Sequence, residues 1–281
     1  MGNLHSSTED QPDRRGGPIF CGVDVGASST KLVLLNRQRE VLGSAIKRSG
    51  VDYTATAHAC LAEAVETSGL ESSDVLRTVS TGYGRRNVDF ADDTLTELSC
   101  HGVGCYHHFP SAITIVDIGC QDNKIIRLDG SGRRTDFKMN RKCAAGTGAF
   151  LEEIALRLDI ELDELERLAH SADQSLRLNS FCTVFASTEI LAHLRRGEPL
   201  AGLIRGAFAS VVSRVTEMDR LDGEVVLTGG VVAHNPTIAQ IFDEALSGAV
   251  KVPPDPQFTG ALGAALTALA QADLSKEAQH A

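Results

Sequence analysis

The sequence lacks the long apolar runs and the basic excess that would point to a membrane or to nucleic acid. No apolar stretch approaches the roughly 20 residues that a membrane-spanning helix needs. Aspartate and glutamate number 37 against 27 lysines and arginines, for a formal net charge of −10, whereas a nucleic-acid-binding surface is usually basic. We therefore expect neither a membrane nor a nucleic acid as a partner.

The N-terminal stretch has no apolar core of the kind found in secretory signals. Residues 1–17, MGNLHSSTEDQPDRRGG, are mostly polar. Such a composition predicts a disordered tail, to which we assign no function.

The sequence has no CxxC pair among its seven cysteines. An odd number of cysteines without a secretion signal argues against a disulfide framework, so we expect a reducing, cytoplasmic compartment. Any metal site must draw its ligands from distant segments or from two chains.

A repeated pattern marks two segments of the chain. Residues 23–36, VDVGASSTKLVLLN, align without a gap with residues 116–129, VDIGCQDNKIIRLD. Each copy has an apolar strand, a tight polar turn and a second strand, which predicts β-hairpins at residues 19–35 and 113–128. An aspartate, a glycine and a lysine coincide: Asp24 with Asp117, Gly26 with Gly119, and Lys31 with Lys124.

The repeated turns have the chemistry of a phosphate site. Asp24, Asp117 and Asp122 lie at strand ends, where they could hold Mg²⁺, mostly through water, and position an attacking water. Glycine in the turns lets backbone amides approach a ligand closely, and we expect the amides and hydroxyls of residues 28–30 (Ser28, Ser29 and Thr30) to meet phosphates. Two unrelated hairpins are the alternative, but two copies in register favour a duplicated phosphate-binding fold.

The remaining pattern predicts an α/β protein with two similar halves around a nucleotide cleft. In residues 225–235, VVLTGGVVAHN, a strand runs into Gly229 and Gly230, where a base or ribose could pack against bare backbone. We predict a first subdomain over residues 18–110 and a second over 111–281, whose last helix may return to the first. Helical periodicity marks residues 54–69, 98–109, 161–172, 201–220 and 261–272, with a further helix from about Pro236 and a short strand near Thr78.

Six stretches together resemble one known family: GVDVGASSTK, STGYGR, VDIGCQDNK, MNRKCAAGTGAFLE, CTVFASTEI and LTGGVVAHN. They resemble the iron–sulfur ATPases that activate 2-hydroxyacyl-CoA dehydratases and the related ATPase subunits of benzoyl-CoA reductases. The similarity covers residues 19–272 and places the chain in the actin/hexokinase/Hsp70 superfold. An alanine- and arginine-rich composition tilts the choice slightly towards the reductase branch.

The resemblance implies an electron-transfer ATPase. It implies that Cys143 and Cys182 bind a [4Fe–4S] cluster shared with an identical or paralogous chain, and that ATP hydrolysis drives a low-potential electron to an acyl-CoA reductase or dehydratase. A ferredoxin or flavodoxin would be the upstream donor. The nucleotide residues implied by the resemblance are Asp24, Gly26, Ser29, Thr30, Lys31, Asp117, Gly119, Gln121, Asp122, Gly229 and Gly230.

The cysteines also carry an argument of their own. Cys143 and Cys182 each precede an amphipathic helix, whose N-terminus would stabilise a thiolate or an anionic cluster. Inert packing cysteines are the alternative, as they would be in a small-molecule kinase or a nucleotide sensor of the same superfold. Cys120 replaces a glycine usual in the family's phosphate turn, and we do not count it as a ligand. The histidines and cysteines of residues 100–109, CHGVGCYHHF, suggest helix packing rather than a zinc site.

Overall fold

A computed structural model describes residues 17–140, 143–178, 183–248 and 250–280. The predicted N-terminal tail, apart from Gly17, lies outside the described residues, and so does Cys182. Among the described helices, none combines the length and the apolar character needed to span a lipid bilayer.

The first sheet is built on the first predicted hairpin. Its strands are β1 (Ile19–Val25), β2 (Ser29–Leu35), β3 (Val41–Arg48), β4 (Val75–Thr81) and β5 (Asp93–Thr94). The neighbours β1, β2 and β3 are antiparallel, whereas the neighbours β1, β4 and β5 are parallel. All residues of β1 are buried because the strand lies in the centre of the sheet. From one edge of the sheet to the other, the order is β3, β2, β1, β4 and β5.

The second sheet repeats the topology of the first. Its central strand is fully buried, its hairpin partners are antiparallel, and its other two strands are parallel. The order is β8 (Arg134–Asn140), β7 (Asn123–Leu128), β6 (Ile113–Ile118), β9 (Glu224–Thr228) and β10 (Val250–Lys251). The predicted duplication and both hairpins are therefore confirmed.

The helices cover the sheets and match the predicted ones within a few residues, except that the last helix extends further. Side-chain caps mark two helix starts, at Asp52 and Thr96. The helices are α1 (Tyr53–Ser68), α2 (Glu97–His108), α3 (Gly148–Leu158), α4 (Leu162–Ser171), α5 (Thr183–Arg195), α6 (Leu200–Met218), α7 (Gly230–His234), α8 (Pro236–Leu246) and α9 (Thr259–His280). Helix α9 packs on β1, β2 and β4 of the first sheet. The subdomain boundaries themselves stay a prediction.

Helices α2 and α9 pack against each other through a reciprocal pair of glycines. A Cβ at Gly104 would lie 2.2 Å from the carbonyl oxygen of Thr259, and one at Gly263 would lie 1.8 Å from the carbonyl oxygen of Cys100. Each helix thus presents a bare glycine to a carbonyl of the other. This contact brings the start of α2 and the start of α9 to the cleft between the two sheets.

We expect Gly263→Ala to lower the free energy of unfolding by at least about 1–3 kcal/mol, because an added methyl group would overlap backbone that has little room to move. Urea denaturation followed by circular dichroism measures the change. Gly130→Ala is the matched control, since a Cβ at Gly130 meets nothing within 4 Å. Equal unfolding midpoints for the two variants would contradict the tight α2–α9 packing.

Candidate functional site

An aspartate–lysine pair lies at the same register in each hairpin. Asp24 pairs with Lys31 across β1 and β2, and Asp117 pairs with Lys124 across β6 and β7. The lysine Nζ lies 3.6 Å from the aspartate Oδ2 in the first pair and 3.1 Å in the second. The repeat in the sequence therefore corresponds to a repeated ion pair, with one copy on each sheet.

A glycine with positive φ lies behind each of these aspartates. Gly82 follows β4 with φ 87°, and Gly229 follows β9 with φ 99°. A Cβ on Gly82 would lie 2.5 Å from Asp24 Oδ1, and one on Gly229 would lie 2.6 Å from Asp117 Oδ1. Only glycine fits both the backbone conformation and the close approach. The threonine–glycine steps at the ends of β4 and β9 are thus a second internal repeat, which the sequence reasoning did not recognise.

The two glycine turns are also built alike. The amide of Gly26 donates to Ser29 O at 3.1 Å, and the amide of Gly119 donates to Asp122 O at 3.0 Å. Burial raises the pKa of the Cys120 thiol in the second turn, and the side chain of Ser28 in the first turn acts in the opposite direction. The two turns therefore face each other across the cleft.

One expected phosphate contact is not present in this geometry. The Thr30 hydroxyl is buried and lies 2.9 Å from Ser49 Oγ, which in turn donates to Gly26 O. The strand alternation turns Thr30 away from the cleft and leaves Lys31 facing it. The expectation that the Thr30 hydroxyl meets a phosphate is therefore corrected, while Ser28 and Ser29 are half-buried and Gln121 is exposed.

Lys124 is the most enclosed charge of the site. Its side chain is 1% exposed, and its Nζ lies 2.7 Å from Asp122 Oδ1, 2.8 Å from Glu97 Oε1 and 3.1 Å from Asp117 Oδ2. Burial alone would lower its pKa, but Asp117, Glu97 and Asp122 raise it well above the usual value. Lys124 is therefore charged at neutral pH and neutralises part of a carboxylate cluster.

The neighbouring carboxylates respond differently to the same burial. Burial raises the pKa of Glu97, with Lys124 acting in the opposite direction. At Asp117 burial would also raise the pKa, but His101 and Lys124 outweigh it, so that the pKa lies below the usual value. Of Glu97 and Asp117, Asp117 is therefore the carboxylate that stays ionised more readily, and it is the better suited to bind a metal ion or to accept a hydrogen bond from water.

Asp24 provides a test of whether the site fits Mg²⁺. Asp24 is 4% exposed, and its Oδ1 has no hydrogen-bond partner among the described residues. An unpaired, buried carboxylate oxygen costs free energy. A hydrated cation would remove this cost, and Mg²⁺ prefers carboxylate oxygens and its own waters as ligands. Asp24, Asp117 and Asp122 therefore fit a magnesium site.

The loop that carries Cys143 is attached to the second phosphate turn. The Asn123 side chain donates to Gly146 O at 2.8 Å, the amide of Gly148 donates to Gly119 O at 2.9 Å, and the amide of Ala149 donates to Cys120 O at 2.8 Å. The start of α3 is thus bonded directly to the turn. A shift of the turn would be transmitted to the Cys143 loop through these hydrogen bonds.

These bonds correct one expectation about Cys143. Helix α3 begins at Gly148, so a short loop separates it from Cys143. The first amides of the helix satisfy carbonyls of the phosphate turn and do not face the thiol. The expected stabilisation of the Cys143 thiolate by the N-terminus of α3 is therefore absent from this geometry.

Exposure separates Cys143 from the other described cysteines. Cys143 is the only exposed one among them, and Cys120 is intermediate. Burial raises the pKa of Cys100 to about 12 and that of Cys60 to about 11. Such thiols pack in the core, as do the buried Cys21 and Cys105. Among the described residues, Cys143 is therefore the thiol most accessible to solvent.

Cys182, the other predicted ligand, is followed directly by α5, which begins at Thr183. Helices α3 and α5 contact each other and share one hydrophobic core. The buried face of α5 includes Ala186 and Ile190, whereas Leu191 is 37% exposed.

A model of the BadF/BadG/BcrA/BcrD ATPase family matches residues 21–268. The chain belongs to this family. The activator of lactoyl-CoA dehydratase from Anaerotignum propionicum is 43% identical over 250 residues, which cover 88% of this chain and 96% of that protein. A benzoyl-CoA reductase subunit from Thauera aromatica is 29% identical over 260 residues, covering 88% of this chain and 92% of that protein. The resemblance found in the motifs is therefore confirmed.

Similarity to solved structures identifies the fold of the chain. The activator of the 2-hydroxyisocaproyl-CoA dehydratase from Clostridium difficile, solved with bound ADPNP, superposes with a TM-score of 0.86 at 35% identity. The superposition covers 92% of this chain and 97% of that one. A ROK-family glucokinase from Streptomyces griseus shares the fold alone, with a TM-score of 0.52 at 13% identity, covering 89% of this chain and 99% of the glucokinase. The predicted actin/hexokinase-like fold class is confirmed.

This BadF/BadG/BcrA/BcrD ATPase family member has site residues that the sequence reasoning missed. Glu97 and His101, on α2, were assigned to helix packing or left unassigned, yet both lie beside Asp117. Their spacing of one helical turn was the available signal. The spacing alone could not show that these two side chains face a site, because that depends on the packing of α2 against the second hairpin. Cys100 and Cys105 of the same helix do pack in the core, as expected.

Proposed function

We propose that this protein couples ATP hydrolysis to low-potential electron transfer. The electron would come from a [4Fe–4S] cluster shared by two chains and would pass to a partner acyl-CoA enzyme. The observation that carries the proposal is the pairing of a duplicated phosphate site with an exposed thiol, Cys143, on a loop hydrogen-bonded to that site. A small-molecule kinase would need no such thiol.

A 2-hydroxyacyl-CoA dehydratase is the favoured partner. The lactoyl-CoA dehydratase activator shares 43% identity with this chain, against 29% for the benzoyl-CoA reductase protein. This difference outweighs the slight tilt of the composition towards the reductase branch. The reductase role is the second candidate, because that relative still aligns with most of the chain.

In this proposal the cleft residues bind and orient Mg·ATP. Lys31 faces the cleft and would neutralise phosphate charge, with Ser28 and Ser29 nearby. Asp24, Asp117 and Asp122 would hold the hydrated Mg²⁺, which shields the developing charge on the phosphates. Gly229 and Gly230 would lie against the adenosine. Asp117, which is anionic and buried, is the best placed of the three to orient the attacking water.

The cysteines would hold the electron carrier. A [4Fe–4S] cluster requires four thiolates, and Cys143 and Cys182 from each of two chains related by a two-fold axis would supply them. Such a cluster stores and releases one electron at low potential. The second chain would be an identical copy or a paralogue, and the upstream donor a ferredoxin or a flavodoxin.

The hydrogen bonds between the second turn and α3 suggest how the two sites communicate. When phosphate is bound or released, the turn at Gly119 and Cys120 is expected to shift. Because the amides of Gly148 and Ala149 are bonded to that turn, α3 would move with it. The contact of α3 with α5 would carry the movement to α5, which follows Cys182 in the chain. This arrangement is a candidate switch element for ATP-driven electron release.

Anaerobic purification tests the proposal. We expect a brown protein with about four irons and four acid-labile sulfides per two chains, whose ATP hydrolysis requires Mg²⁺. Iron and sulfide assays together with native mass spectrometry measure the ratio. A colourless protein that hydrolyses ATP, or phosphorylates a small molecule, would favour the kinase alternative.

A further inference from the structure

His101 lies between the two halves of the phosphate site. It is 4% exposed, and its Nε2 lies 3.8 Å from Asp117 Oδ2 and 4.0 Å from Glu97 Oε1. Its Nδ1 is buried and has no hydrogen-bond partner among the described residues. A buried imidazole without a strong internal partner is costly, so packing alone is a poor explanation for a histidine at this position.

The first half of the site reaches the same imidazole. A Cβ built on Gly260, at the start of α9, would lie 3.0 Å from Asp24 Oδ2 and also 3.0 Å from His101 Nε2. The Asp24 carboxylate and the His101 ring therefore both approach the same point, the Cβ position of Gly260. His101 is thus close to the catalytic aspartates of both hairpins.

The packing of α2 on α9 explains how this arrangement arises. In their reciprocal contact, the backbone of Cys100 meets Gly263 and the backbone of Thr259 meets Gly104. His101 follows Cys100, and Gly260 follows Thr259, so the two residues hold corresponding positions on the paired helices. Helix α2 supplies the imidazole ring of His101, and Gly260 of α9, which has no side chain, leaves space for that ring.

We propose that His101 is a positioning residue that sets the spacing between the Asp24 and Asp117 carboxylates and thereby the affinity of the site for its divalent cation. The inference rests on the proposed function, since it assumes that these carboxylates serve Mg·ATP. His101 is not a ligand in this account. Its imidazole lies within 4.0 Å of the Asp117 and Glu97 carboxylates and fills the volume between the two strand ends, so that the Asp24 and Asp117 carboxylates stay aimed at one ion.

Three variants test this role through metal binding. We expect His101→Ala to weaken Mn²⁺ binding in the presence of saturating ADP by about 10–100-fold, the usual effect of losing a residue that orients metal-binding groups. His101→Gln, which keeps an N–H donor of similar reach, should recover most of the affinity. Gly260→Ala should weaken Mn²⁺ binding as well, because its methyl group would occupy the point that Asp24 and His101 share.

Binding is measured on the anaerobically prepared full chain by the room-temperature EPR signal of free Mn²⁺, alongside ADP affinity in EDTA and urea unfolding midpoints. His107→Ala, in the last turn of the same helix and outside the cleft, is the control and should match wild type. A purely structural histidine would lower the unfolding midpoint but leave Mn²⁺ affinity unchanged.

Mn²⁺ affinities within twofold of wild type in all folded cleft variants would overturn the inference. If His101→Ala does not fold, His101→Gln and Gly260→Ala decide: tight binding by His101→Gln and weak binding by Gly260→Ala support the role, and wild-type affinity in Gly260→Ala overturns it. A wild-type protein that binds no Mn²⁺ with ADP would overturn the proposed function, and the inference with it. The wild-type measurement alone therefore tests the proposed function, and the comparison of variants tests the role of His101.

Discussion

Cys143→Ser and Cys182→Ser will each yield a colourless protein without iron and without electron transfer. If two identical chains share the proposed cluster, each substitution removes two of its four thiolates at once, and with a paralogous second chain it removes one. Serine is a hard, poorly ionised ligand and does not replace a thiolate on an iron–sulfur centre. Iron assay and the visible spectrum of anaerobically reconstituted protein measure the loss.

Nucleotide binding should survive in both cysteine variants. The phosphate site lies on the two hairpins, and the Cys143 loop contacts it through backbone atoms and through Asn123, none of which the substitution removes. ADP affinity measured by calorimetry should therefore stay within about threefold of wild type. If the iron–sulfur cluster bridges two chains, each variant should also shift towards monomer in sizing experiments.

Cys60→Ser and Cys105→Ser are the controls. Both thiols are buried, so a hydroxyl there costs some stability. Burial raises the pKa of both thiols, as expected for packing residues, and neither should change the iron content of the folded protein. Loss of iron in either control, with iron retained in Cys143→Ser, would mean that the wrong thiols have been chosen.

The duplicated hairpins were predictable from sequence because their signal is local. In each hairpin an aspartate lies near the end of the first strand and a lysine near the start of the second, separated by a short turn. Because the turn is short, their spacing in the chain sets which residues pair across the two strands. The outer strands β3 and β8 gave no such signal. Both are largely exposed on at least one face, so their residues lack the apolar continuity of β1 and β6.

The role of α2 was not predictable for a different reason. Lys124 has two carboxylate partners from its own hairpin, Asp117 and Asp122, and a third, Glu97, from α2. A helix with alternating cysteines, glycines and histidines resembles any packing helix until its neighbours are known. The contact of α2 with α9 at Gly263 determines which of its side chains enter the cleft.

Asp117→Ala will remove most ATP turnover while leaving the iron–sulfur cluster in place. Asp117 is buried and ion-paired with Lys124, and His101 and Lys124 outweigh the effect of burial and lower its pKa. Removal of a residue that orients a reacting water or its metal ion costs roughly 10²–10⁴ in rate. Phosphate release at saturating Mg·ATP measures kcat, and the fold should persist because Lys124 keeps Glu97 and Asp122 as partners.

Asp129→Asn is the control for this variant, since Asp129 lies at the far end of the same strand pair. Its side chain bonds Ser131 and Arg133 in the β7–β8 turn, and these bonds hold its pKa at about 2. In the part of the chain that the structure describes, its side-chain bonds stay within this turn, so the amide variant should hydrolyse ATP at the wild-type rate. The iron content should be unchanged in both variants, because Asp117 supplies none of the hydrogen bonds that anchor the Cys143 loop. Wild-type turnover by Asp117→Ala would show that the second hairpin does not act on the nucleotide, and a loss of iron would show that Asp117 supports the cysteine loop instead.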